Sequence, residues 1–216
     1  GTVIDLSKAE ATKKAVREAL PKVRYAHLAT HGFFAPESAR SAAARDRGRT
    51  GSFGEEGVTG WHPLLLSGLA FAGANREPKE GEEDGILTAL EVSEMDLGKL
   101  ELAVMSACET GLGKPTSGEG LLGLQRAFQA AGARTVVASL WKVDDKATRE
   151  LMSDFYRIAW GKEIVSRAEA LRQAQLSMLR EGAKRGAGKG TEKLPGGGAR
   201  LHPYWWAGFV LSGDWR

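Results

Sequence analysis

Short apolar runs recur along the chain, separated by longer stretches in which apolar side chains return every three to four positions. The runs YAHLA (25–29), LLLSGLAFAG (64–73), ELAVMSA (101–107), RTVVASLW (134–141) and AGFVLSG (207–213) are of strand length and almost continuously apolar. Strands covered by helices on both faces have this character, whereas half-exposed strands alternate. Helical period appears from Ser7 to Leu20, where Pro21 ends it, and again over TALEVSEM (88–95), Glu119 to Ala131, Lys146 to Trp160 and Ser166 to Glu181. Thr88 with Glu91, and Ser166 with Glu169, have the spacing of capping boxes, and Gly132 is placed to end the third helix. Alternating strand and helix signals predict an α/β domain with a largely parallel sheet.

Three stretches carry no period. Residues 35–60 are rich in Gly, Arg and Ser, 75–85 are strongly charged, and 182–200 are rich in Gly and Lys, so all three are expected to be flexible loops. No motif repeats at a period of 20–50 residues, which leaves a single domain over residues 1–216.

Charge changes this picture little. The net charge is +3 and the pI about 9.0, but 30 basic residues face 27 acidic ones, interleaved along most of the chain. The basic excess sits in RSAAARDRGRTG (40–51) and AKRGAGKGTEKLPGGGAR (183–200), where no aromatic residue interleaves as a single-strand nucleic-acid groove would require. Solvated loops explain these stretches better, and no direct nucleic-acid contact is expected. No apolar run reaches the roughly 20 residues of a membrane helix, and no signal-peptide pattern is present. The single cysteine cannot form an internal disulfide, so the default expectation is a cytoplasmic protein.

That cysteine carries the candidate chemistry. In HLATHGFF (27–34) and LAVMSACETGLG (102–113), an apolar run stops at a reactive side chain, His31 in one and Cys108 in the other, each within a small-residue segment containing glycine. Loops at the carboxyl ends of parallel strands are where open α/β sheets collect catalytic groups. If the two strands are neighbours, Cys108 is a candidate nucleophile and His31 its base and leaving-group acid. The peptide N–H groups of Gly32 and of Cys108 itself are candidate donors to an oxyanion. A free cysteine on a buried strand is ordinarily a small inert hydrophobe, and a lone histidine a structural hydrogen-bonder. The pairing of the two motifs is what favours catalysis. His62 and His202 have no acidic or cysteine partners at metal-ligand spacing, so no metal or cofactor is expected.

The same segments, with GEGLLGLQRAFQAAGARTVVASLWKVDDKAT (118–148) and HPYWWAGFVLSGDW (202–215), resemble the CHAT domain, a caspase-like cysteine peptidase domain related to caspases and separases. The resemblance runs from about residue 23 to the C-terminus. It implies a caspase-like three-layer α/β/α sandwich with a mostly parallel sheet, and it places the family's histidine at His31 and its nucleophile at Cys108. His27 falls on a strand position and is expected in the core. A separase block similar to LWKVDD puts an aspartate that holds a basic substrate residue at Asp145, with Asp144 the second choice. Either aspartate can instead be the N-cap of the helix that follows.

Such domains continue upstream of the histidine strand. Here only GTVID and one helix precede it, so the chain is expected to be the C-terminal part of a larger protein, lacking an N-terminal strand and exposing a sheet edge. The implied function is a cysteine endopeptidase acting on a protein substrate, after a basic residue, under the control of sensor or repeat domains of a parent protein. The alternatives are a non-catalytic caspase-like interaction scaffold, or an acyltransferase or hydrolase using the same dyad.

Overall fold

A computed structural model describes residues 2–34, 63–65, 67–76, 83–106, 108–109, 119–141, 143–181, 191–193 and 199–216. The predicted loop 35–60, most of 75–85 and residues 182–190 and 194–198 lie outside the described residues, as does His62.

The central sheet contains β1 (Tyr25–Leu28), β5 (Leu102–Met105), β7 (Thr135–Ser139) and β10 (Phe209–Gly213), in the order β1-β5-β7-β10. The first three are parallel, and β10 returns antiparallel to β7. Successive residues of each strand supply opposite faces. Leu102, Val104 and Val137 pack with Leu151, Phe155, Leu171 and Met178 of α4 (Asp145–Ala159) and α5 (Arg167–Glu181). Ala103, Met105, Val136 and Ala138 pack on the other side with Val16 of α1 (Lys13–Ala19), Val92 of α2 (Ala89–Ser93) and Phe128 of α3 (Glu119–Ala130). Two apolar faces on one sheet explain the unbroken apolar runs. The result is the three-layer α/β/α arrangement.

A second sheet continues the first. It has the order β4-β3-β2-β6, with β2 His31–Phe34, β3 Ser67–Ala70, β4 Ile86–Thr88 and β6 Cys108–Glu109. β2 and β6 run parallel, while β3 is antiparallel to both β2 and β4. Of these four strands, β3 falls within the predicted run LLLSGLAFAG (64–73), whereas β2, β4 and β6 are absent from the apolar pattern. His31–Gly32 and Cys108–Glu109 have no strand period, and Ile86–Thr88 follows directly on a charged turn.

Local signals are met unevenly. Thr88 and Glu91 form the complete capping box at α2, and Gly132 has φ 106°, which closes α3 in the left-handed region. A Cβ there would also lie 3.0 Å from the backbone nitrogen of Gly98. The first helix is a correction. Ser7 makes no cap hydrogen bond and precedes only a 3-10 turn, Lys8–Glu10, whereas Thr12 accepts from the N–H of Ala15 and starts α1. Ser166 accepts from Glu169 N–H, but the Glu169 carboxylate turns to Arg172 and Gln173 rather than back to the cap. Within 182–200, the described residues include a short hairpin, β8 (Thr191–Lys193) with β9 (Ala199–Leu201). Among the described residues no helix is long and apolar enough to cross a membrane.

Candidate functional site

The candidate residues are gathered by a single register. Leu28 pairs with Met105 in the central sheet, and His31 pairs with Cys108 in the second, so the β1–β5 alignment passes unchanged into β2–β6. The interruption between them is bridged from both sides. Ser106 N–H donates to the Leu28 carbonyl at 3.0 Å, and the Thr30 hydroxyl donates to the Ala70 carbonyl of β3. The chain therefore does not enter free loops at His31 and Cys108, as the sequence suggested. Both residues lie on short paired strands, one strand spacing apart, about 4.8 Å in a typical sheet. Paired strands hold the residues on them more rigidly than loops would.

His31 is exposed, whereas Gly32 is buried between β3 and β6, in register with Leu69 and Glu109. His27 does not lie in the core as expected. It is on β1, the outermost strand of the central sheet among the described residues, and it is exposed. Its Nδ1 shares a 2.7 Å hydrogen bond with the Tyr156 hydroxyl, and its Nε2 lies 3.4 Å from the Ser106 hydroxyl. Neighbouring groups, the Tyr156 ring at 5.8 Å between centroids among them, still crowd the imidazole enough to withdraw it in part from water, and this desolvation holds its pKa below the usual histidine range. Burial likewise raises the Tyr156 phenol well above its ordinary value. The sequence did not single out Ser106 or Tyr156. Ser106 stands two positions before Cys108 in the apolar run, and that proximity was the only available signal.

The third parallel strand brings in the acidic candidates. β7 ends at Ser139, and its chain continues through Trp141 and Val143 to Asp144 and Asp145 on the same edge as His31 and Cys108. Asp144 is the N-cap of α4, accepting from the N–H groups of Lys146 and Ala147, each at 3.0 Å. Asp145 is the first helical residue and is exposed. Of the two roles left open by the sequence, the structure gives the helix-cap role to Asp144, whose Oδ1 accepts both backbone donors. Asp84, in the DGILTALE segment, accepts from Ile86 N–H and from Lys13, an ordinary turn reinforced by an ion pair. His202 accepts from Tyr204 N–H within a 3-10 turn.

Among the described residues a groove of about 1150 Å³ runs beside β1, lined by Val3, Ile4, Leu20, Ala26 and His31. Tyr25 and Trp160 meet edge to face, 5.0 Å between ring centroids, at its border.

Together these features define a class: an α/β/α domain of caspase-like architecture with a histidine and a cysteine in register on adjacent strands. The CHAT domain family's sequence profile matches residues 1–214, and the chain belongs to that family. It is 28% identical to tetratricopeptide repeat protein 28 of Mus musculus over 215 residues, and 28% identical to its Homo sapiens counterpart over 212. Each alignment covers 94% of this chain and 8% of the relative.

Proposed function

We propose that this domain is a cysteine endopeptidase in which Cys108 is the nucleophile and His31 its proton-transfer partner. The observation that carries this reading is the parallel pairing of His31 with Cys108. In this scheme the Cys108 thiol gives its proton to His31 as sulfur attacks the scissile carbonyl. The oxyanion is met by the N–H groups of Gly32 and Cys108. Collapse of the tetrahedral adduct breaks the C–N bond, and His31 passes its proton to the departing amine. Water, deprotonated by His31, then hydrolyses the thioester and restores the thiol.

Asp145 takes the substrate-binding role for a basic residue on the acyl side, supported by its exposure and by the commitment of Asp144 to the helix cap. The named repeats of the relatives support a parent protein in which repeat or sensor domains govern this catalytic end. A cytoplasmic location fits the absence of any possible internal disulfide.

The test is active-site labelling with a peptidyl acyloxymethyl ketone carrying Arg or Lys at its reactive end. Wild-type protein should be labelled at Cys108, and His31→Ala should lose most of the labelling. Equal labelling of both proteins refutes the dyad. Partner cleavage that survives Cys108→Ala refutes the nucleophile, and binding without any cleavage returns the domain to a scaffold role.

A further inference from the structure

The segment that carries Asp145 is held from one side by the turn leading into β10. Phe209 pairs with Ser139 at the end of β7, and the Gly208 carbonyl accepts from Leu140 N–H at 2.7 Å. One residue on, the Trp141 indole N–H donates to the Tyr204 carbonyl at 3.2 Å. Gly208 itself is buried, and a Cβ built on it would lie 2.6 Å from Val143 Cγ1 and 3.5 Å from the Trp141 ring. Gly208 has no positive φ, so close packing alone demands glycine here. Val143 cannot readily yield, because a β-branched side chain has little rotameric freedom. The residue after Val143 is the Asp144 cap, and the next is Asp145.

We propose that Gly208 and the Trp141 indole are positioning residues: they seat Val143 against the β10 turn and so aim Asp145, and the preference for a basic acyl-side residue depends on them. This rests on the Asp145 reading above. Neither residue needs to touch the substrate. The side chain added by Gly208→Ala displaces Val143, the displacement passes through the Asp144 cap to the first turn of α4, and the Asp145 carboxylate moves away from the substrate cation. Weakening that charge-assisted hydrogen bond lowers turnover of the cationic substrate and spares its neutral analogue.

The experiment compares kcat/KM for two peptides that differ only in Arg or Gln on the acyl side, in wild type, Gly208→Ala, Trp141→Phe and Asp145→Ala. It also follows amide hydrogen exchange at Lys146 and Ala147, the donors to the Asp144 cap. Gly208→Ala and Trp141→Phe should each lower the Arg-to-Gln ratio at least about tenfold and speed exchange of those two amides. An unchanged ratio, or a loss common to both peptides, overturns the proposal, as does unchanged exchange. If Asp145→Ala keeps the Arg preference, or wild type cleaves neither peptide, it is the functional reading that falls, and the exchange rates alone decide the positioning role. Should Gly208→Ala not fold, Trp141→Phe carries both measurements, since it keeps an aromatic ring and removes the donor to Tyr204.

Discussion

At the scale of single residues, hydrogen bonding to Tyr156 and Ser106 gives His27 surroundings quite different from those of His31, four positions away. Its neutral imidazole is engaged by both, and partial desolvation places its folded-state pKa below that of the unfolded chain. The unfolded state therefore takes up the proton first as pH falls. The stability contributed by neutral His27 is present above the ordinary histidine value of about 6.5, and is lost as pH drops below it through the folded pKa. Urea midpoints of wild type and His27→Gln, measured from pH 8 to pH 5, should differ by a constant amount at the alkaline end. The wild-type advantage should shrink toward the acid end. Because the other histidines are common to both proteins, a difference that stays flat across this range contradicts the assignment. The family resemblance placed the candidate chemistry at His31 and expected His27 in the core, but it could not show what surrounds His27. The approach of Tyr156 on α4 to β1 supplies that surrounding.

At the scale of elements, α1 is fastened to the rest of the fold by a buried cation. Lys13, whose side chain is 9% exposed, lies 2.7 Å from Glu91 Oε1 and 3.1 Å from Asp84 Oδ1, joining α1 to the cap of α2 and to the turn before β4. Burial opposes its charge, but the hydrogen bonds to Glu91 and Asp84 outweigh that cost and hold its pKa above the usual lysine value. Burial also opposes the charge on both carboxylates, yet hydrogen bonds hold them below their usual range, from Ile86 N–H and Lys13 for Asp84 and from Lys13 and Thr88 for Glu91. Both acids are more exposed than the lysine, so water compensates part of any loss. Lys13→Met should therefore destabilise the protein by about 1–3 kcal/mol, between the values for surface and fully buried pairs. Adding Glu91→Gln should cost less than it does in the wild-type background, a non-additivity that a double-mutant cycle reads directly. Additive effects would mean that the pair does not couple. The charged segment 76–85 looked like solvent-facing linker in the sequence, and the partner of its Asp84 could not be read there because Lys13 is remote along the chain.

At the scale of the whole molecule, β5 and β7 serve both hydrophobic layers, since their residues alternate between the α1–α3 side and the α4–α5 side. Phe128 and Phe155 are each fully buried, one in either layer. Phe128→Ala and Phe155→Ala should each cost about 3–5 kcal/mol. Because the layers share their central strands, either substitution should lower one common unfolding transition, with tryptophan fluorescence and far-UV circular dichroism changing together. Separate transitions for the two probes would show that the layers melt independently.

The apolar runs and the capping residues by themselves determined the strands β1, β3, β5, β7 and β10, the helices apart from the start of α1, and the candidacy of His31 and Cys108, because burial and helix termination are local demands on composition. Tertiary structure decided what depends on register and on remote partners. The continued alignment of β1 with β5 makes His31 and Cys108 neighbours, the α4 cap selects Asp144 and leaves Asp145 exposed, and Gly208 packs closely against Val143 beside that cap. The physical reason is that hydrogen-bond pairing between strands, and packing between side chains far apart in the chain, leave no period in the sequence that carries them.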